Sequence, residues 1–292
     1  MKYTKRIRPL DGILRILFLS ALVTLMFYPC AVFADGIMVD LRPLDAENNS
    51  WAFAVNDKGD VAGIHDDNGF LPFVYSKGIM KDLPFSLENN ANVSGINNKG
   101  QAVGEFRNES GEWHAYLYSK GVVTDLGTLG GNYSHASGIN EKGEIVGASH
   151  NESGNLHAFL YSKGVMTDLG TLGGDNSRAH GINDKGEIVG ESTTTESNTI
   201  WHAFLYSNGV MTDLGTLGGD NSCAYGINVK GEIVGESDTE SSKYRAFFYS
   251  KGVMTDLGTL GGEYSTAYGI NNKGENVGDS SIMNESSWHA FL

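Results

Sequence analysis

Cysteine is nearly absent from this 292-residue chain, with only Cys30 and Cys223 present. Cys30 falls in an N-terminal segment that reads as a removed leader, so no intrachain disulfide is expected and stability must come from packing. Basic residues are scarce too, 21 against 35 acidic. The leader holds five of the basic residues and one acidic one, which leaves 16 against 34 and a net charge of −18 beyond it. Such a surface repels nucleic acid and anionic lipid, and neither is expected as a partner. No second apolar run of bilayer-spanning length follows the leader, so no membrane span is expected in the mature chain. No stretch has the length and 3.6-residue periodicity of an amphipathic helix. A nucleophile elbow, a His-Glu-x-x-His pair, a phosphate loop and an Asp-x-Asp-x-Asp calcium loop are all missing. No cofactor and no metal are therefore expected, and nothing in the composition selects an oligomeric state.

The leader itself is explicit. Lys2, Lys5, Arg6, Arg8 and Arg15 precede the apolar run Ile16–Phe27, and Val32-Phe33-Ala34 supplies the compact residues of a cleavage site. Residues 1–34 read as a secretory signal, and 35–292 as one exported domain, periplasmic or extracellular.

What the rest contains is one unit of about 43 residues repeated six times. Its first landmark, Gly-Ile-Asn before Lys-Gly, places Asn at 56, 97, 140, 183, 228 and 271. Its second, His-Ala-Phe, occurs at His114, His157, His202 and His289, with Leu71 and Arg245 in the remaining copies. Its third, Asp-Leu before Gly-Thr-Leu-Gly-Gly, places Asp at 40, 82, 125, 168, 213 and 256. The chain opens partway through one copy, at Gly36–Leu41, and stops partway through another, at His289–Leu292.

Each unit reads as four short strands. In the fourth copy they are expected at Ser177–Asn183, Glu187–Ser192, Trp201–Ser207 and Gly209–Leu214, joined by glycine-bearing turns. Phe204 and Tyr206 alternate with Ala203 and Leu205, so both faces of the third strand are apolar. A sheet covered on both faces by neighbouring sheets explains that pattern. The small residues of the first strand suit the crowded axis. The expected fold is therefore all-β, a six-bladed β-propeller of four-stranded antiparallel blades. The complementary ends predict closure by pairing strand 36–41 with 288–292. An open β-solenoid is the rival, and it would need polar capping repeats.

The residues His202–Ser207, Asp213–Gly219 and Gly226-Ile227-Asn228 closely resemble the HAF-repeat family of bacterial extracellular proteins. The resemblance covers essentially all of 36–292 and implies an exported, repeat-built, propeller-like protein without implying an activity. Leu71-Pro72-Phe73, Arg245 and Tyr116 depart from the family pattern. The turn layout is also similar, more weakly, to kelch blades.

Chemistry is harder to place. The four His-Ala-Phe histidines occupy equivalent positions in separate blades, too far apart to share one ion, and are expected to tie a strand to a neighbouring turn. The repeated Asp is expected to bond nearby backbone N–H groups. Cys223 sits in a slot held elsewhere by His135, Arg178 and Thr266, and reads as incidental.

Function in a symmetric scaffold should lie where symmetry breaks, and the loops between second and third strands vary most. Each is followed by a large residue, among them Trp113, Trp201, Tyr244 and Trp288. Aromatic rings beside amides and hydroxyls suit a glycan or a cell-surface protein. Pinning the start of a strand is the competing account, and Leu156 in the same slot favours it. The expected function is a non-catalytic binding module. The alternatives are a hydrolase or lyase using loop acids such as Glu109, Glu112, Glu152 and Glu196, and a structural protein of the envelope.

Overall fold

The computed structural model describes residues 41, 49–66, 69–86, 88, 90–195, 197–283 and 287–292. Among these the chain is all-β, with 23 strands in five hydrogen-bonded sheets. The first sheet holds β1 (Ser50–Val55), β2 (Val61–Asp66), β3 (Phe70–Ser76) and β4 (Ile79–Asp82). The second begins with β5 (Asn92–Ile96), β6 (Ala102–Arg107), β7 (Trp113–Ser119) and β8 (Val122–Asp125). It continues into β9 (Gly130–Ile139), β10 (Ile145–Asn151), β11 (Leu156–Ser162) and β12 (Val165–Asp168) through one parallel pair, Trp113 with Tyr133. Two four-stranded sheets follow: β13 (Gly173–Ile182), β14 (Ile188–Thr194), β15 (Ser197–Ser207) and β16 (Val210–Asp213), then β17 (Gly218–Ile227), β18 (Ile233–Thr239), β19 (Tyr244–Ser250) and β20 (Val253–Asp256). The last is three-stranded, with β21 (Gly261–Ile270), β22 (Asn276–Ile282) and β23 (Trp288–Phe291).

Within each repeat the strands pair antiparallel in chain order, as the sequence predicts. First strands run longer than expected. β13 starts at Gly173 rather than Ser177, because the Leu-Gly-Gly link itself pairs with the end of β14 through Gly173–Thr194 and Leu172–Thr194. The hairpins before the fourth strands have two central residues with positive φ, Asn208 at 53° before Gly209 at 82°. Lys77, Lys120, Lys163 and Lys251 adopt the same left-handed backbone. The glycine of each second strand is there for space. A Cβ on Gly190 would lie 1.9 Å from the Arg178 carbonyl oxygen.

The core lies between successive repeats. Phe204 packs with Val146, Ala158, Leu169, Ala179 and Ile188, while its neighbour Ala203 packs with Val189, Leu214, Ala224, Ile233 and Phe247. Both faces of the third strand are thus buried, as the doubly apolar pattern requires. Each such Phe contributes about 1.5–3 kcal/mol by leaving water.

Polar side chains fix the spacing of these layers. Asn140 accepts from the backbone N–H groups of Lys142 and Glu144, and its amide donates to the Asn183 carbonyl of the next repeat at 3.0 Å. The same inter-repeat bond runs from Asn56 to Asn97, Asn97 to Asn140, Asn183 to Asn228 and Asn228 to Asn271. The six turns converge on one cavity of about 340 Å³. Buried serines add a second set of ties: Ser177 Oγ accepts from Ala158 N and donates to Gly170 O.

The sheets are not closed on one another. Val277 of β22 is 49% exposed, where its equivalents Val146, Val189 and Val234 are fully buried. Trp51, Phe53 and Val55 of β1 are exposed as well. In the expected pairing of 36–41 with 288–292, residues 36–40 lie outside the described residues. β23 is the edge of its sheet.

Asn183→Ala should destabilise the domain by about 2–4 kcal/mol, from lost hydrogen bonds and stranded backbone groups. Urea unfolding measures this. A loss below about 0.5 kcal/mol would mean that the ladder is incidental.

Candidate functional site

The residues that fail to repeat on the first strands lie beside carboxylates on the second. Arg178 is the cross-strand partner of Glu191, Cys223 of Glu236, and Thr266 of Asp279. A β-bulge follows each. The register shifts between Ala179 and Gly181, between Ala224 and Gly226, and between Ala267 and Gly269. The extra residue is therefore His180, Tyr225 or Tyr268, and bulges re-aim side chains in this way. Tyr225 Oη donates to Glu236 at 3.1 Å and Tyr268 Oη to Asp279 at 3.3 Å. His180 Nε2 lies 3.8 Å from Glu191. The next repeat reaches back as well, with Thr266 Oγ1 donating to Glu236 at 2.7 Å.

Two cavities open over this row. One, of about 410 Å³, is bordered by Arg178, Glu191, Trp201, Cys223, Glu236 and Tyr244. The other, of about 550 Å³, is bordered by Tyr225, Glu236, Tyr244, Tyr268, Asp279 and Trp288. They share Glu236 and Tyr244 and form one groove across the fourth to sixth repeats. Arg178 lies over the Trp201 ring at 4.8 Å. Tyr244 and Trp288 are nearly parallel, 9° apart with centroids at 6.4 Å.

The electrostatics follow from these contacts. Burial would raise the Glu191 pKa, but the neighbouring His180 and Arg178 outweigh it and hold the carboxyl below its ordinary value. Burial, with Glu191 close by, pushes the Cys223 thiol well up. Glu105 occupies the slot of Glu191 in the second repeat, opposite Asn92. Burial raises its pKa against the opposing Tyr133 hydrogen bond.

Of the aromatic residues expected to form a site, the structure brings three together. Trp201, Tyr244 and Trp288 border the groove, and Trp113 of the second repeat does not. Sequence reasoning passed over Glu191, Tyr225, Glu236 and Asp279, read Arg178 only as one holder of a variable slot, and found no zinc-like spacing at His65, His135, His150 and His180. The signal was available in the two unlike positions of Ser-x-Ala-x-Gly on each first strand, which carry the same broken symmetry as the loops.

The repeated histidines and aspartates pair with each other. His157 Nδ1 lies 2.7 Å from Asp168 and His202 Nδ1 2.8 Å from Asp213, while Gly170 N donates to Asp168. The departures keep the pair. Arg245 faces Asp256, and His65 from the neighbouring strand supplies the partner of Asp82 where Leu71 replaces histidine.

Neither a protein-family model nor a curated protein sequence matches this chain. Solved structures share its fold. TolB from Acinetobacter baumannii aligns with a TM-score of 0.51 at 14% identity, over 70% of this chain and 52% of its own. A puromycin-hydrolysing peptidase of Mycobacterium tuberculosis aligns at 0.53 and 11% identity, over 81% of this chain and 42% of its own. A prolyl endopeptidase aligns at 0.50 and 10%, over 84% and 42%. The chain thus spans about half the length of these proteins, or less. At such identities the likeness is one of fold, that of a β-propeller.

A carboxyl whose folded pKa is raised stabilises the fold at low pH, and that stability is lost as pH rises through the folded value. Glu105→Gln should therefore be more stable than the parent at neutral pH, with the advantage vanishing in acid. Melting curves across pH check this, and an advantage independent of pH would contradict it.

Proposed function

We propose that this chain is an exported six-bladed propeller whose groove over the fourth to sixth repeats binds a glycan without cleaving it. The observation that carries this reading is the placement of Trp201, Tyr244 and Trp288 along one groove, above Glu191, Glu236 and Asp279. Aromatic faces cover the apolar side of a sugar ring, and fixed carboxylates accept its hydroxyl hydrogens. Glycoside hydrolysis uses a general acid whose pKa is raised, a role Glu191, held below its ordinary value, does not fit. Among the loop acids, Glu109, Glu112 and Glu152 do not border the groove. Glu196 lies outside the described residues. The membership in the HAF-repeat family and the leader at 1–34 belong to the same proposal.

Ring closure completes it. Convergence of six turns on one cavity suits a ring rather than a solenoid, whose repeats advance along an axis. The repeat phase assigns residues 36–41 as the fourth strand of the last blade.

On a glycan array, Trp201→Ala and Tyr244→Ala should each weaken binding by about tenfold or more, and Trp113→Ala should not. Binding that depends on Trp113 alone, or a cell-surface protein captured with no glycan bound, would overturn the glycan reading. Deleting residues 36–41 should lower the melting temperature by several degrees, as for a loss of about 2 kcal/mol or more. An unchanged melting temperature would rule out the closure.

A further inference from the structure

We propose that His180, Glu191 and Cys223 form a binding site for a divalent transition metal of the zinc type, on the wall of the groove. The three ligands come from β13, β14 and β17, so two sheets hold them in place. One ligand atom from each lies within 4.8 Å of the other two. A tetrahedral zinc site, with bonds of about 2.0–2.3 Å, needs ligand atoms about 3.3–3.8 Å apart. For an imidazole nitrogen and a carboxylate oxygen the spacing is about 3.3–3.5 Å, and His180 Nε2 and Glu191 Oε1 stand just outside it, at 3.8 Å. The other pairs lie within 4.8 Å and would draw closer on binding.

A second observation points to a ligand. His180 Nε2 is buried and has no hydrogen-bond partner among the described residues. A buried imidazole nitrogen ordinarily finds one. A metal ion would occupy that direction and draw in the carboxylate and the thiol.

The donor set selects the ion. Imidazole and thiolate favour zinc and its neighbours, whereas calcium and magnesium require oxygen cages. Arg178 donates to Glu191 Oε1 at 2.9 Å. This is the same oxygen that lies nearest His180, and a carboxylate oxygen has two lone pairs, so Arg178 can orient it while it also ligates, as outer partners of metal ligands commonly do. On binding, the Cys223 S–H bond breaks, the sulfur lone pair forms the metal–sulfur bond and the proton leaves to solvent. Three protein ligands leave at least one position open. Glu191 and Cys223 border the 410 Å³ cavity, so that position would face the groove and accept water or a ligand oxygen. This inference stands apart from the glycan reading, because metal binding is measured without any sugar.

Purified protein carrying Cys30→Ser, with Cys223 as its sole thiol, would be stripped with chelator and titrated with cobalt(II). The expected result is a thiolate-to-cobalt charge-transfer band that saturates at one ion per chain and disappears when zinc displaces cobalt. Cys223→Ser should abolish the band, and His180→Ala should weaken cobalt binding by about tenfold or more. Circular dichroism melts of both variants show which of them retain the fold. If one fails to fold, the other carries the test. A folded parent with no band, or a band that survives His180→Ala at full affinity, overturns the proposal.

Discussion

A buried asparagine at the end of the first strand in the second to fifth repeats is the constraint on which the rest of the structure depends. Its side-chain oxygen closes its own turn, and its amide nitrogen reaches the backbone of the next repeat. Asn97, Asn140, Asn183 and Asn228 are almost completely buried, so water cannot replace these bonds. The amide must meet a carbonyl at a set distance, and this fixes how far each sheet sits from the next. Phe159, Phe204 and Phe247 can then fill the space between sheets without voids. The buried serines and the His–Asp pairs brace the outer parts of the same stack. They add little unless the first strands are already in register.

Such a scaffold separates residues that hold the stack from residues that are free to differ. His65 shows how strict the first class is: when histidine is lost at position 71, a histidine from the adjacent strand restores the bond to Asp82. Arg245 restores the equivalent bond to Asp256 by another chemistry. The second class is found at Arg178, Cys223 and Thr266 and at the bulge residues His180, Tyr225 and Tyr268. These positions carry no structural bond common to all repeats, and all but His180 border the groove with Glu191, Glu236 and Asp279. In the third repeat the corresponding second-strand slot holds Ala148 rather than a carboxylate.

Much of this was legible in the chain. The landmark spacing predicted four antiparallel strands per repeat, and the alternation around Phe204 predicted sheets buried on both faces. The aromatic residues after the variable loops were legible as candidates, and three of the four share the groove. Trp113 does not, although its local sequence is like theirs, because it starts a strand two repeats away from the groove. The carboxylates were not legible. Glu191 and Glu236 sit in a Gly-Glu-Ser context that reads as one more strand, and nothing local marks them as neighbours of Arg178 or Cys223.

The sequence by itself determined the repeat, the all-β class, the two-sided burial and the identity of the residues that recur. These follow from periodicity and side-chain volume, which are local properties summed over many copies. Only the tertiary structure decided which unlike residues meet. Arg178 with Glu191, His180 with Cys223, and Tyr244 with Trp288 are brought together by cross-strand register, by a bulge of one residue and by the stacking of one sheet on the next. Those are relations between segments about 13 to 44 residues apart, and the last two cross from one repeat to the next.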